Sequence, residues 1–424
     1  MIRKLRFFCF ILLPAGLLLS VTSPVFYFEE AEQFSCVNYE FNIVENTTAL
    51  ENYHIALDQL IEQKKDKVRI AHIGDSHIQA DYLTNVTRKK LQKLYGNGGR
   101  GYLFPYRLIR SNNPPNIRIS REGEWSGCTS TSYRTHCNFG LCGASATTYD
   151  STATLKINPN RWEDMNYEFN QLDLFHFGHS NEMSFRLLDS DSSALDVDIQ
   201  KESESVSSVH FTEYQDSLWL GFEKLRDRSY AQLFGMSFEN DHPGLIYDAI
   251  GLNGAHVASY LRNQFFDEQL KLLEPDLIII TLGTNDGYMS GSRFCSGCFK
   301  NNYSKLLSKV REHNPNASIM LTTPGDYYRR RRYHDSHQRS IVRAIRELAV
   351  EHQAAIWDYN RIMGGDYSIK AWLRQGLARK DLIHYTEKGY KLQGELLFDA
   401  LMKSKELHED PSLQGAGFLH RSEP

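Results

Sequence analysis

Four short stretches, far apart along the 424-residue chain, carry side chains that together could transfer an acyl group. Such chemistry needs a nucleophile, a general base, a group that orients the base, and donors for the oxyanion. Ser76, in Gly74-Asp75-Ser76-His77, offers the hydroxyl. It directly follows the apolar run Val68–Ile73 and opens a helical stretch, so its oxygen faces a helix N-terminus, where developing negative charge is favoured. Taken alone, the same serine reads as an ordinary helix N-cap. Asp381 and His384 stand three residues apart just before a helix beginning near Thr386. That spacing brings both side chains to one side, where the carboxylate can hold the imidazole tautomer while the far nitrogen takes the serine proton. Asn285, in Gly283-Thr-Asn-Asp286, has a side-chain amide suited to an oxyanion, and Gly254 lets a bare backbone N–H approach the same place. Each of these also fits plain turn chemistry.

These residues need elements to position them. Apolar spacing predicts a helix over 50–65, a buried strand over Val68–Ile73 and a helix running through Leu91 and Leu94. The run Gly96–Gly101 reads as a breaker, since no helix with a Lys-Ser/Thr pair follows to make it a phosphate loop. From 113 to 240, short alternating runs such as Ala153–Ile157, Leu172–Phe177 and Leu218–Phe222 read as a β-sandwich-like region, with Asp189–Ser208 as a surface loop. Strands over Pro275–Thr281, Ser318–Thr322 and Ala354–Trp357 then alternate with helices over 255–272, 303–312, 336–352 and 386–403. Alternation of this kind means right-handed βαβ units and an α/β, doubly wound parallel sheet. In such a sheet the four stretches gather at the carboxyl ends of strands.

The blocks, in this order and context, resemble the SGNH (GDSL-like) hydrolase family, whose signatures are a GDS turn, a lone glycine, a G-x-N-D turn and a D-x-x-H near the C-terminus. The resemblance covers about 66–112 and 241–405 and leaves the β-rich block outside. It implies a flavodoxin-like three-layer fold at 29–112 and 241–407, with a β-rich, sandwich-like insertion at 113–240. It also implies Ser76 as nucleophile, His384 as base, Asp381 as its orienting partner, and the Ser76 amide, Gly254 and Asn285 as oxyanion donors. Two departures narrow the branch. His77 stands where lipase-like members usually have leucine, and Ile73–Asp81, Gly98–Gly101 and Gly251–Ala255 are similar to the bacterial cell-wall branch. That branch includes periplasmic peptidoglycan O-acetylesterases, some with an inserted sandwich resembling a carbohydrate-binding module. The implied activity is metal-independent and cofactor-free removal of O-acetyl groups from an acetylated glycan. An O-acetyltransferase using the same triad, and a non-catalytic glycan-binding protein keeping the fold, stand as alternatives.

The remaining features bound the setting. A formal net charge of −4 gives no general attraction to phosphate, so nucleic acid is not an expected partner. Arg3, Lys4 and Arg6 precede the uncharged stretch Phe7–Val21, so 1–28 reads as a cleaved secretory signal or a retained N-terminal anchor in contact with a membrane. Either places the catalytic part outside the cytoplasm, in the periplasm or cell envelope. Beyond Cys9, the six cysteines 36, 128, 137, 142, 295 and 298 suit an oxidising compartment; Cys295 and Cys298 read as a local disulfide rather than half a zinc site. Residues 408–424 read as a disordered tail. Arg329–Arg332 after Tyr327-Tyr328 could grip an anionic glycan or form a solvated charged loop. His72 and His77 flank the GDS turn, but no carboxylate cluster accompanies them as metal catalysis would require.

Overall fold

Leu277–Thr281 carries no polar residue before its last position, and its apolar side chains are fully buried. Strands covered on both faces by helices read this way. In the computed structural model this strand lies inside a six-stranded sheet of order Val44–Glu45, Ala355–Trp357, Ser318–Thr322, Leu277–Thr281, Lys67–Gly74, Gly244–Gly251. The structure describes residues 33–415, except 134–136, 160–164, 178–182, 189–194, 196, 225–228, 289–293 and 335. The signal-or-anchor segment 1–28 and the end of the tail, 416–424, lie outside the described residues. Among those described, no helix is long and apolar enough to cross a membrane.

The short edge strand Val44–Glu45 pairs antiparallel, and the other five strands run parallel. Taken in chain order, the five parallel strands lie 2-1-3-4-5 across the sheet, the flavodoxin-like order. The order reverses between Lys67–Gly74 and Leu277–Thr281, and ligands of such sheets bind outside the carboxyl ends at that reversal. Helices Glu51–Ile61, Tyr82–Tyr95 and Glu387–Glu409 pack together, as do Ser296–His313 and His337–Glu351. The last of these buries Ile341, Ala344, Ile345, Leu348 and Ala349, a stripe of helical period facing the core.

The β-rich block forms two antiparallel sheets. One runs Ile199–Lys201, Val206–Gln215, Phe169–Phe177, Ala231–Glu239, Ala144–Thr148, Ser126–Thr129; the other runs Arg118–Glu122, Thr154–Asn158, Leu218–Lys224, Met183–Leu188. Rings meet edge-on across the two sheets, as in His176–Phe185 at 4.7 Å.

Several boundaries differ from the expectation. Gly96–Gly101 does break the helix, but Gly99–Leu103 is a strand paired with Ala231–Glu239, so the large antiparallel sheet recruits chain ahead of residue 113. Gly101 permits the close approach, since a Cβ there would sit 2.4 Å from Asp248 Oδ1. The stretch 255–272 is two helices, Val257–Tyr260 and Phe266–Leu272. The 189–208 loop contains strand Ile199–Lys201 and the start of Val206–Gln215. The last helix continues to Glu409, followed by a 3-10 turn at Pro411–Gly415, so the expected disorder from 408 does not hold through those residues. Disulfides join Cys295 to Cys298 and Cys128 to Cys137, while Cys36 and Cys142 are free thiols.

Candidate active site

Gly74 ends its strand level with Gly251 on one side and Thr281 on the other, so three of the four blocks leave the sheet side by side. At Gly251 a side chain has no room. A Cβ there would lie 2.2 Å from Gln79 N and 2.8 Å from Asp75 O. This close approach seats the helical turn Ser76–Gln79 against the adjacent strand end.

Ser76 is the first residue of that turn, and the capping oxygen comes from its neighbour: Asp75 Oδ1 accepts from His77 N at 3.0 Å. The plain N-cap reading of Ser76 therefore does not describe it. Its hydroxyl lies 3.0 Å from His384 Nε2 instead. His384 Nδ1 lies 2.9 Å from Asp381 Oδ2, while Asp381 Oδ1 accepts from the backbone N–H groups of Ile383 and His384, both at 3.0 Å. An acceptor-only carboxylate facing Nδ1 puts the proton on Nδ1, which leaves Nε2 to accept from the serine. Burial pushes the Asp381 carboxyl up, but the His384 backbone and side-chain hydrogen bonds outweigh it and hold the group below the usual carboxylate range. Leu382, between the pair, adopts φ +59°, the turn that folds histidine back over aspartate.

The oxyanion candidates are placed unequally. Gly254 is exposed at φ +78° in the loop leaving Gly251, with open space around its Cα. Among the described residues, no hydrogen bond uses the N–H of Ser76 or of Gly254. Asn285 does not stand free in the same way. Its Nδ2 donates to Asp75 Oδ2 at 3.1 Å and to the Ala255 carbonyl at 2.9 Å, so both amide hydrogens are engaged. Beneath it, burial raises the Asp75 carboxyl to about 7, opposed by the His77 N–H and reinforced by Asp286. Asp286 is likewise raised to about 7 by burial, against the Val257 N–H that it accepts.

The histidines flanking the GDS turn have structural partners. His72 is buried between Tyr247 Oη and Thr281 Oγ1, each at 2.7 Å. His77 bonds Tyr390 Oη through Nδ1 at 2.9 Å, and its ring centroid lies 5.4 Å from that of His384. Burial lowers both to about 3, so each is neutral at physiological pH. His77 thus lies against the His384 imidazole as a neutral ring. Arg330–Arg332 are exposed on a loop whose Tyr328 N–H donates to Leu382 O at 2.8 Å, within the Asp381–His384 turn.

Residue-type reasoning missed the polar wall beside Ser76. Gln79, one helical turn on, donates through Nε2 to Ser111 Oγ and Asn112 O, both at 2.9 Å, and accepts from Asn253 N at 2.7 Å. The available signal was its spacing of three from Ser76. Asp81 was likewise unread: it is buried with Arg88 at 2.9 Å and with Arg100, and burial notwithstanding, these two cations lower its carboxyl to about 2.

The GDSL-like Lipase/Acylhydrolase family matches residues 215–392. Residues 215–392 are thus similar to a GDSL-like lipase/acylhydrolase domain. The match begins in the β-rich block, so the Ser76 segment, separated by the insertion, precedes it. The domain is that of a carboxylic ester hydrolase. A solved structure of a peptidoglycan O-acetylesterase is similar over 84% of this chain and 96% of its own, at 21% identity and a TM-score of 0.70. That coverage exceeds the α/β part alone, so the shared fold extends into the insertion. A lipase/acylhydrolase from Enterococcus faecalis is 17% identical over 38% of this chain and 77% of its own, with a TM-score of 0.31. A comparison with curated proteins finds no match.

Proposed function

We propose that this GDSL-like domain is a serine esterase that removes O-acetyl groups from a cell-envelope polysaccharide through an acyl-enzyme. The observation that carries the reading is the unbroken hydrogen-bonded chain Ser76–His384–Asp381 at the reversal point of the sheet. Ser76 Oγ attacks the acetyl carbonyl as its proton passes to His384 Nε2, and Asp381 stabilises the imidazolium that forms. The oxyanion is met by the N–H groups of Ser76 and Gly254. Asn285 joins them by exchanging its bond to Asp75 for one to the oxyanion, a tightening of the kind apo sites undergo on binding. His384 then returns the proton to the departing sugar oxygen, leaving acetyl-Ser76. Water attacks that ester, gives its proton to His384, and acetate leaves as Ser76 recovers its hydrogen.

The glycan assignment is supported by the fold shared with a peptidoglycan O-acetylesterase across the α/β part and the insertion. Two disulfides support export to an oxidising envelope compartment. The test is acetate release from a panel of acetylated glycans, with and without an acceptor glycan, by wild type and Ser76→Ala. Release by wild type alone, independent of acceptor, is expected. Release that requires the acceptor would make the protein a transferase, and equal release by both proteins would exclude the serine mechanism.

A further inference from the structure

We infer that the basic, tyrosine-bearing rim beside His384, formed by loop 328–334, Lys370 and the turn at Arg379-Lys380, binds carboxylates of an acidic glycan whose ester lies at Ser76. The inference rests on the esterase reading above and names the substrate chemistry that it leaves open.

The loop is built to hold charge in a fixed place. Its base is anchored by the buried Tyr327 and Tyr328, by the Tyr328 N–H to Leu382, and by buried Asp326, which takes His334 Nε2 at 2.9 Å and Ile369 N at 3.0 Å. Arg329 and Tyr333 close it with reciprocal backbone bonds of 2.8 and 3.0 Å. At its tip Arg330 and Arg331 adopt φ +51° and +61°, and nearby Tyr367 adopts +70°. Left-handed backbone costs a non-glycine residue about 1–2 kcal/mol, and such residues concentrate at ligand-binding places. The Arg330 N–H is also used, donating to Tyr288 Oη at 3.1 Å.

The rim's side chains match an acidic sugar polymer. Arg330, Arg331, Arg332, Lys370, Arg379 and Lys380 are exposed, and among the described residues none of them forms an ion pair. Among the described residues, two nearby carboxylates are already engaged: Asp381 by His384, and Asp366 by Arg339 at 3.5 Å with His334 at 3.9 Å. On a chain of net charge −4, six cations with no carboxylate partner among the described residues make a local field at one lip of the site that draws anions. Guanidinium groups take carboxylates through paired N–H donors. Tyr333 and Tyr367, 51% and 61% exposed, add amphipathic ring faces, with Tyr367 stacked on His334 at 4.2 Å and Lys370 Nζ 4.4 Å above Tyr328.

The test is calorimetric binding of solubilised peptidoglycan strands with free carboxylates, and of the same strands after amidation, to full-length Ser76→Ala. The expected affinity for free-carboxylate strands falls about tenfold or more in Arg330→Ser/Arg331→Ser/Arg332→Ser and on raising salt from about 0.05 to about 0.3 M. Lys370→Ser/Arg379→Ser is expected to weaken binding in the same direction. Amidated strands should bind weakly to all the proteins alike. Equal affinity for free and amidated strands, or an arginine triple variant that melts and binds like its parent, overturns the inference. Arginine-dependent binding without acetate release by the Ser76 enzyme would sink the esterase reading and leave the rim standing.

Discussion

Asparagine in place of Asp381 changes one oxygen to an NH2 and leaves the shape intact. Asp381 Oδ1 accepts the backbone N–H groups of Ile383 and His384 at 3.0 Å, and an asparagine oxygen can keep both bonds, so the turn survives. Its NH2 then faces His384 Nδ1 where Oδ2 stood at 2.9 Å. Nδ1 must accept, the ring proton moves to Nε2, and an N–H points at Ser76 Oγ across 3.0 Å, unable to take its proton. The same exchange in a serine protease triad costs about 10⁴ in turnover. Here the Asp381 and His384 side chains are 33% and 34% exposed, so water softens the tautomer preference. A loss of about 10³ in kcat/KM is expected, which is about 4 kcal/mol of transition-state stabilisation. The assay is hydrolysis of p-nitrophenyl acetate, with thermal melting in parallel. Asp381→Asn should melt with wild type, while Asp381→Ala, which loses both backbone bonds, should be less stable by about 1–2 kcal/mol. An asparagine variant keeping more than about a tenth of wild-type activity at an unchanged melting temperature would refute the tautomer argument.

Other outcomes follow from the same geometry. Gly251→Ala drives a Cβ into Gln79 N at 2.2 Å, so urea unfolding should show a loss of about 2–4 kcal/mol, with a falling kcat as the Ser76 turn is displaced. Asp81→Asn removes the carboxylate charge facing Arg88 and Arg100, whose side chains are at most 1% exposed, and should cost about 3–5 kcal/mol by denaturant titration. Asp75 and Asp286 ionise near pH 7 when folded and near pH 4 when unfolded, so the folded chain holds protons that the unfolded chain has released. Their contribution is full below about pH 4 and is lost as pH rises through 7. The melting temperature should therefore drop by roughly 3–8 °C between about pH 5 and about pH 7.5, and by less in Asp286→Asn.

The proposed site residues Ser76 and Asn285 were legible because each lies in a turn just after a recognisable apolar run, Val68–Ile73 and Leu277–Thr281. Leu277–Thr281 and Ser318–Thr322 announce themselves as continuous apolar runs, and Asp381 with His384 needs only one turn of chain. Legibility fails where partners are distant in sequence. Gly99–Leu103 looks like a breaker because its glycines serve a strand neighbour more than a hundred residues later, at Ala231–Glu239. Gly244–Gly251 was not foreseen as a strand, since Tyr247 and Asp248 interrupt its apolar pattern with groups that bond His72 and Tyr102. Asn285 has the right chemistry for an oxyanion, but only the folded chain reveals that Asp75 and Ala255 already hold its amide. Likewise, that Asp75 rather than Ser76 caps the turn depends on a carboxylate orientation that spacing does not fix.

The proposed mechanism requires that the hydroxyl of Ser76 is the atom that becomes acylated. Peptide mapping after reaction with a fluorophosphonate probe addresses this directly. The label is expected on the Ser76 peptide alone, absent in Ser76→Ala and strongly slowed in His384→Ala. Label on another residue, or undiminished labelling of Ser76→Ala, would contradict the account.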